Sequence, residues 1–257
     1  MTKTGRFTQA IVRCPPPGLG QGLTTSKEGP PDFERAVEQH RAYVEVLERL
    51  GLEVEELDAL QRFPDAYFVE DTAIVGDTFA VLARPGADER RGEEDAIEPV
   101  VARYRPIDRI ESPGTVDGGD ILEIGDHYLI GVSDRTNEEG AAQLGKILSA
   151  HGKTWRALAV GTGLHLKSSI AAIDDETLLI TAEYADRPEL AQWHKVVVAA
   201  GEEYAANSLR VNESLVVPAG YPGTAAKLGS FAQEVIALDV SEARKMDGGL
   251  SCMSLRF

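Results

Sequence analysis

The sequence has little cysteine and no long apolar run. Its two cysteines, Cys14 and Cys252, stand among 257 residues, which allows one disulfide at most. Because a chain of this length without a leader is typical of a reducing compartment, we expect two free thiols and a cytoplasmic location. No apolar run approaches the length of a membrane span, so no membrane partner is expected. The opening stretch MTKTGRFTQAIVRCPPP lacks the apolar segment and cleavage site of a signal peptide.

Basic residues are also scarce. The chain has 26 Lys and Arg against 42 Asp and Glu, a net charge of −16 and a pI of about 4.7. Such a surface repels phosphate backbones, which excludes nucleic acid as an expected partner. It would attract a cationic small molecule, although acidity alone more often serves solubility. The length fits one large domain or two small ones.

The first fifty residues predict a strand, a loop and a helix. The stretch FTQAIVRCP alternates loosely and ends at three prolines, which favours a strand that stops there. Residues Gly18–Pro31 are rich in Gly, Ser, Thr and Pro and predict a long loop, a candidate lid. A helix should follow, with Asp32 as its N-cap and Gly51 just past its end.

A repeat of about forty-five residues organises the rest of the chain. Four stretches are typical of a strand, a short turn and a second strand: AYFVEDTAIVGDTFAVLARPG, TVDGGDILEIGDHYLIGVSDR, LHLKSSIAAIDDETLLITAE and ANSLRVNESLVVPAG. Helices are predicted between them, in NEEGAAQLGKILSAHG, RPELAQWHKVVVAAG and YPGTAAKLGSFAQEV. A polar residue stands at each strand start and in the final GLSCMSLRF, at separations of 47, 48, 42 and 45 residues: Glu70, Asp117, His165, Asn207 and Cys252.

The two ends of the chain each contribute a strand without a neighbour. FTQAIVR has no earlier partner, and GLSCMSLRF has no later one. We therefore predict a closed ring in which the N-terminal strand completes the C-terminal module and no sheet edge stays exposed. The predicted fold class is α/β, with five pseudo-symmetric ββα modules around a central active site. One domain would span residues 1–257, and the five polar positions would converge at its centre.

Three of the converging residues carry the groups of nucleophilic catalysis. The thiolate of Cys252 would be the nucleophile, His165 the general base or acid, and Asp117 the group that orients the imidazole. Each residue alone has a commoner structural explanation: a small core residue, a hydrogen-bonded strand-end histidine and an Asp-Gly-Gly-Asp turn. Their shared phase in the repeat favours catalysis.

Acidic residues in the first hairpin indicate what the thiol attacks. The stretch PDAYFVED offers Asp65, Glu70 and Asp71. Several carboxylates around a thiol suit a planar cation such as a guanidinium, which carboxylates bind bidentately, although they could be solvated acids of an acidic protein. Arg90 and Arg135 follow strands of two different modules and could bind a carboxylate or lie at the surface.

Seven stretches, in order from residue 19 to 252, resemble the dimethylarginine dimethylaminohydrolases. They are LGQ, PDAYFVEDTAIV, ARPGADERR, TVDGGDIL, GVSDRTN, GLHLKS and DGGLSC. This family belongs to the guanidine-modifying superfamily, whose fold is the five-bladed α/β-propeller, or pentein. The resemblance implies hydrolysis of Nω-methylated arginines, such as asymmetric dimethylarginine and monomethylarginine, to L-citrulline and dimethylamine or methylamine without a cofactor.

The resemblance also implies a role for each site residue. Cys252 would attack the guanidinium carbon to form a covalent S-alkylthiouronium intermediate. His165, oriented by Asp117, would protonate the leaving amine and then activate water. The remaining roles concern substrate binding and support: Asp71 and Glu70 at the guanidinium, Asp65 at the α-amino group under a lid at Leu19, Arg90 and Arg135 at the α-carboxylate, Asp247 beside the nucleophile and Ser168 beside the histidine.

Lys167 bears on specificity. Arginine and agmatine deiminases resemble this chain in fold but carry an Asp two residues after the catalytic histidine, where this chain has Lys167. Loss of that charge-assisted contact would cost plain arginine about 1.5–3 kcal/mol, which favours methylated arginine. An arginine or agmatine deiminase is the alternative, followed by an amidinotransferase and by a non-catalytic ribosome anti-association factor of the same fold.

No structural metal is expected, because Cys252, His165 and the acids lack zinc-finger spacing. The oligomeric state stays open between a monomer and a homodimer.

Overall fold

The computed structural model describes residues 6–257, which form five three-stranded sheets. Four sheets use consecutive strands, and the fifth joins the two ends of the chain. In chain order, the strands of residues 6–257 are β1 (Gln9–Arg13), β2 (Glu53–Leu57), β3 (Ala73–Val75), β4 (Ala80–Leu82), β5 (Ile107–Arg109), β6 (Ile121–Ile124), β7 (His127–Val132), β8 (Thr154–Ala159), β9 (Ile170–Ala172), β10 (Thr177–Ile180), β11 (His194–Val197), β12 (Leu209–Val211), β13 (Ser214–Pro218), β14 (Glu234–Leu238) and β15 (Ser254–Arg256).

Five α-helices lie between the strands of the described residues: α1 (Phe33–Arg49), α2 (Glu93–Val101), α3 (Glu138–Ala150), α4 (Pro222–Leu228) and α5 (Ser241–Arg244). The helix predicted after the long loop is confirmed as α1. The Asp32 side chain accepts a hydrogen bond from the Arg35 backbone N–H at 3.0 Å, and Gly51 adopts φ +91° just beyond the helix. Within residues 6–257 no helix is long and apolar enough to cross a bilayer. Residues 1–5 of the opening stretch lie outside the description.

Each module has one strand more than the ββα prediction. The first two strands form the predicted antiparallel hairpin, and a third strand lies parallel to the second, as β8 does beside β7. The helix predicted in RPELAQWHKVVVAAG was wrong: only the turn Pro188–Leu190 is helical there, and the valine-rich end forms β11. Valine favours a pleated strand, and β11 pairs with the fully buried β10.

The predicted closure by the N-terminal strand is confirmed. β1 pairs antiparallel with β15, with Ile11 opposite Leu255, and parallel with β2. Its side chains alternate between two parts of the core, because Val12 packs against α1 residues while Ile11 packs with Leu255 in a neighbouring cluster. Both ends of the chain therefore belong to one sheet.

The polar positions of the repeat lie in or beside short 3-10 turns rather than in the strands themselves. Each turn precedes the first strand of a sheet, and neighbouring turns contact each other around the centre of the ring. The circle is completed by hydrogen bonds between Asn207 and Ser251. The turns are Val69–Thr72, Gly118–Asp120, Leu166–Ser168, Glu203–Ala206 and Ser251–Met253.

Candidate active site

His165 is held between carboxylates in the interior of the ring. Its Nε2 lies 3.1 Å from Oδ2 of Asp117, and its Nδ1 lies 4.0 Å from Oδ1 of Asp71. The Ser168 hydroxyl accepts a hydrogen bond from the His165 backbone N–H at 3.4 Å. Burial lowers the pKa of the imidazole, but Asp71, the hydrogen bond to Asp117 and the charge of Asp120 outweigh burial and raise the pKa to about 9. His165 is therefore an imidazolium at neutral pH and can donate a proton.

Asp117 is buried and contacted from several directions. Its Oδ1 accepts a hydrogen bond from the Gly86 backbone N–H at 2.9 Å, and its own backbone N–H donates to Oγ1 of Thr136 at 3.1 Å. Its Oδ2, the atom next to His165, also lies 3.9 Å from Nη1 of Arg135. These contacts fix the carboxylate, so Asp117 can orient the imidazole ring.

Asp71 supplies the negative charge on the other side of His165. Its Oδ1 accepts a hydrogen bond from the Gly119 backbone N–H at 2.8 Å, and its Oδ2 accepts one from Nη1 of Arg90 at 2.5 Å. Burial raises the pKa of Asp71, but His165 and Arg90 lower it to about 2. Gly119 is required for this approach, because a Cβ there would lie 2.5 Å from Nδ1 of His165. Asp71 is therefore ionised, and its carboxylate can hold a cation beside His165.

Arg90 is enclosed rather than open to a ligand. It is 5% exposed, and its guanidinium donates to the carboxylates of Glu93 and Asp71 and to the Asp65 carbonyl. In this arrangement Arg90 positions the acids around it. Its expected contact with a substrate carboxylate stays a prediction, as does that of Arg135, whose side chain is 17% exposed.

The negative charge of Glu70 is balanced by two cationic side chains of the ring. Its Oε1 accepts a hydrogen bond from Nζ of Lys167 at 2.6 Å and lies 3.4 Å from Nη2 of Arg256. Its Oε2 has no hydrogen-bond partner among residues 6–257. The position that carries an acid in deiminases is therefore occupied here by a cation paired with Glu70.

A cavity of about 660 Å³ opens toward the hairpin turns of the ring. Glu70 and Lys167 line it, whereas Cys252, His165 and Asp117 do not. The chemistry-bearing side chains thus lie at the strand-start side of the ring, away from this cavity.

Cys252 lies in a turn that packs against the turn containing Glu70 and Asp71. Burial, followed by the charges of Glu70 and Asp71, raises the pKa of the thiol to about 12. The Ser251 hydroxyl lies 3.9 Å from the sulfur. The thiol is therefore protonated in this state, and a cation bound among the acids would favour the thiolate.

The loop predicted as a lid contacts the Asp65 turn through its Leu19–Gln21 turn and through Leu23. The Leu19 side chain is 1% exposed and packs in the core, and its role at a ligand stays a prediction. The Leu23 backbone N–H donates to both oxygens of Asp65, at 3.2 and 3.0 Å. A Cβ at Gly22 would lie 2.2 Å from Oδ1 of Asp65, so this contact depends on a glycine. Burial raises the pKa of Asp65.

Asp247 holds the same loop at a second point. Its Oδ2 accepts hydrogen bonds from the Thr25 backbone N–H at 2.5 Å and from the Thr24 hydroxyl at 3.2 Å. Asp247 lies five residues before Cys252 in the sequence. The loop is thus tied both to the acidic site and to the segment that carries Cys252.

Two buried polar residues position the catalytic turns although they were assigned no role from sequence. Asp120 accepts a hydrogen bond from the Leu166 backbone N–H at 2.9 Å and so holds the turn that follows His165. Asn207 donates to the Lys167 carbonyl at 2.9 Å and accepts from the Ser251 backbone N–H at 3.0 Å. The phase of Asn207 in the repeat was the available signal, and Asp120 ends the DGGD motif.

The assembled centre is a half-buried thiol, an imidazolium and several carboxylates. Ligand atoms of Asp71, Asp117 and His165 lie within 4.8 Å of one another, so a small metal cation could also be held. A protonated imidazole is a proton donor rather than a metal ligand. The arrangement therefore suits an organic cation whose carbon is attacked by the sulfur.

Comparison with known sequences identifies relatives along the whole chain. Residues 60–200 match the sequence profile of the arginine deiminase family. The chain is 44% identical over 253 residues to an N(G),N(G)-dimethylarginine dimethylaminohydrolase of Pseudomonas aeruginosa, covering 98% of this chain and 100% of that protein. It is 36% identical over 250 residues to a protein of the same name from Streptomyces coelicolor, covering 96% of each.

Comparison with solved structures gives the same relatives and a more distant one. A mutant of the Pseudomonas aeruginosa protein, complexed with citrulline, has a TM-score of 0.96 at 43% identity, covering 98% of this chain and 100% of that one. The N-terminal domain of a cyanobacterial arginine dihydrolase has a TM-score of 0.86 at 19% identity, covering 96% and 97%. The second likeness shows the fold alone, and both agree with the predicted five-bladed propeller.

Proposed function

The chain belongs to the dimethylarginine dimethylaminohydrolase family, and we infer that it hydrolyses Nω-methylated arginines to L-citrulline and dimethylamine or methylamine. The observation that carries this inference is the meeting of Cys252, the His165–Asp117 pair and ionised Asp71 on one ring of turns. A thiol beside a proton donor and a cation-binding acid is what displacement of an amine from a guanidinium carbon requires. The 44% identity to a relative of that name supports the same reaction.

The first half of the reaction forms a bond from sulfur to carbon. We propose that the guanidinium binds beside Asp71, where its charge offsets the carboxylates that add to burial in raising the pKa of Cys252. The thiol gives its proton to solvent, and the thiolate attacks the guanidinium carbon. The His165 imidazolium gives its proton to the methylated nitrogen, the carbon–nitrogen bond breaks, and a covalent S-alkylthiouronium remains on Cys252.

The second half returns the enzyme to its starting state. His165, now neutral and still hydrogen-bonded to Asp117, accepts a proton from water. The resulting hydroxide attacks the thiouronium carbon, the carbon–sulfur bond breaks, and the new hydroxyl gives its proton to the departing sulfur, so that citrulline leaves and the Cys252 thiol is restored. His165 recovers the imidazolium state that its surrounding carboxylates favour.

The ion pair of Lys167 with Glu70 supports methylated arginine over arginine. Because Lys167 is bound to Glu70 at 2.6 Å, this position offers no carboxylate to the far side of an unsubstituted guanidinium. A lost charge-assisted contact of about 1.5–3 kcal/mol corresponds to roughly 10- to 100-fold discrimination. An arginine or agmatine deiminase is therefore the less favoured functional hypothesis.

The deciding experiment measures citrulline from separate incubations with asymmetric dimethylarginine, monomethylarginine and arginine, with Cys252→Ser protein as the blank. We expect turnover of the methylated substrates and roughly 10- to 100-fold lower kcat/KM for arginine. Absence of citrulline from all three substrates would refute the hydrolase, and faster turnover of arginine would favour the deiminase alternative.

We further propose that residues 1–257 form one domain, acting on a small molecule in the cytoplasm without nucleic acid or membrane partners, as a monomer or homodimer. Participation of β1 and β15 in one sheet supports the single domain. The two free thiols and the net charge of −16 support the other expectations. Cell fractionation and sedimentation would test them.

A further inference from the structure

A second group of metal-type ligands lies outside the centre of the ring. Ligand atoms of Cys14, His40 and Glu56 lie within 4.8 Å of one another. Nε2 of His40 is 2.9 Å from Oε2 of Glu56. Among residues 6–257 the other group of this kind is the one around His165. The Cys14 group has no role in the proposed hydrolysis.

Strand pairing brings Cys14 and Glu56 to the same face of a sheet. β1 and β2 are parallel, with Val12 opposite Glu56, and the Cys14 backbone N–H donates to the Leu57 carbonyl at 2.9 Å. Because side chains alternate along a strand, Cys14 faces the same way as Val12 and Glu56. Val12 packs against α1, so this is the face that α1 covers, and His40 of α1 completes the group.

The solvent exposure of the three side chains increases from His40 through Cys14 to Glu56. His40 is 3% exposed, Cys14 is half-buried, and the Glu56 side chain is 49% exposed. A cation could therefore enter from the Glu56 side.

We propose that Cys14, His40 and Glu56 bind one zinc-type divalent cation, with water at a fourth, solvent-facing position. Thiolate sulfur, imidazole nitrogen and carboxylate oxygen are the ligands that Zn²⁺ prefers, at about 2.3, 2.0–2.1 and 2.0–2.2 Å. Atoms already within 4.8 Å of one another reach such distances by small side-chain rotations. As the sulfur–metal bond forms, the thiol proton passes to solvent.

The site would join β1, β2 and α1 at the start of the segment that leads to the loop Gly18–Pro31. Nδ1 of His40 has no hydrogen-bond partner among residues 6–257. Because a metal-bound histidine usually donates its second N–H to an acceptor, the cation is held more weakly than in structural zinc sites. This proposal departs from the expectation of no metal, which considered only the spacing of Cys252, His165 and the acids.

The test uses cobalt as a coloured substitute for zinc in full-length Cys252→Ser protein, where Cys14 is the one remaining thiol. Titration with Co²⁺ should produce a thiolate-to-cobalt charge-transfer band that saturates at one equivalent, and Zn²⁺ should abolish it by displacement. The band should be lost in Cys252→Ser/Cys14→Ser protein. Absence of the band in the parent, or its survival without Cys14, would overturn the proposal.

Matched glutamate variants keep the test informative if the Cys14 change disturbs folding. Glu56→Gln in the Cys252→Ser background should shift the titration to higher Co²⁺ concentration. Glu55→Gln is the control. Glu55 precedes Glu56 in β2, but its side chain accepts hydrogen bonds from Arg103 and Tyr104 instead. Identical titrations of the two variants would remove Glu56 from the site and overturn the three-ligand proposal.

Discussion

Carboxylates lie close to each of the two cysteines, and a histidine belongs to each of the two groups, yet the groups suit different chemistry. Burial and neighbouring carboxylates raise the thiol pKa in both cases, to about 11 for Cys14 and about 12 for Cys252. The histidines differ instead. The pKa of His165 is raised to about 9, whereas burial lowers that of His40. One group therefore contains a proton donor and the other a neutral metal ligand.

The number and the burial of the carboxylates explain the difference. His165 is surrounded by three buried carboxylates: Asp71, Asp117 and Asp120. Their charges are poorly screened in the interior and together outweigh the cost of burying an imidazolium. Among residues 6–257, His40 forms an ion pair with the half-exposed Glu56 alone, and water and salt screen the charge of Glu56. A Cys–His–acid combination in a sequence thus gains its function from the depth at which the acids lie.

Replacing each cysteine in turn tests most directly whether the two groups differ in function. Cys252→Ser should lower kcat on the order of 10⁴-fold or more, because the proposed nucleophile is lost. Cys14→Ser should keep near wild-type turnover, since Cys14 lies outside the ring of catalytic turns. Citrulline production by both variants would be measured under saturating substrate. Equal loss in the two variants would show that the distinction between the sites is wrong.

Removing one carboxylate from each histidine should have the next largest effect. Asp117→Asn should lower kcat by on the order of 10²–10⁴-fold, because the imidazole loses its orienting acid. It should also lower the pKa of His165 and move the alkaline decline of activity below about pH 9. Glu56→Gln is the matched control at His40. A pH profile of kcat that is unchanged by Asp117→Asn would remove Asp117 from its proposed role.

The repeat predicted the ring and its central residues. With a period near forty-five residues, equivalent positions of successive modules lie at equivalent places around the ring. Asp117, His165 and Cys252 could therefore be brought together before any coordinates, although they are far apart in the chain. The third strand of each module was missed because its pairing is long-range. In RPELAQWHKVVVAAG, the apolar spacing fits a helix, while parallel pairing with β10 decides for strand β11.

The loop contact could not be predicted at residue level. Leu19 and Leu23 both lie in a stretch rich in glycine, and nothing local decides which of them turns inward. The structure places the Leu19 side chain in the core and directs the Leu23 backbone N–H to Asp65. Backbone hydrogen bonds of this kind leave little trace in side-chain identity, apart from the glycine at position 22 that allows the approach.

The two histidines should give opposite pH dependences of stability. Since the pKa of His165 is raised from 6.5 to about 9, its contribution is fully present below pH 6.5 and is lost as the pH rises through 9. That contribution is on the order of 3 kcal/mol. His40, whose pKa is lowered, instead reduces stability as the pH falls below 6.5. Urea unfolding of the wild-type, His165→Gln and His40→Gln proteins between pH 5 and about pH 9 would give the contribution of each histidine by difference from the wild type. Contributions that change with pH in the same direction would contradict the assignment.

The smallest effect concerns the loop that connects the two regions. Gly22→Ala should raise KM by roughly tenfold with a smaller change in kcat, because a Cβ at this position would lie 2.2 Å from Oδ1 of Asp65 and would displace the Leu23 contact. Gly18→Ala is the matched control in the same loop, since its Cβ would meet only ordinary contacts at 3.7 Å or more. Steady-state kinetics of both variants would separate the two outcomes. Equal KM values would mean that the loop reaches Asp65 without assisting substrate binding, and that the segment beginning at Cys14 is independent of the catalytic centre.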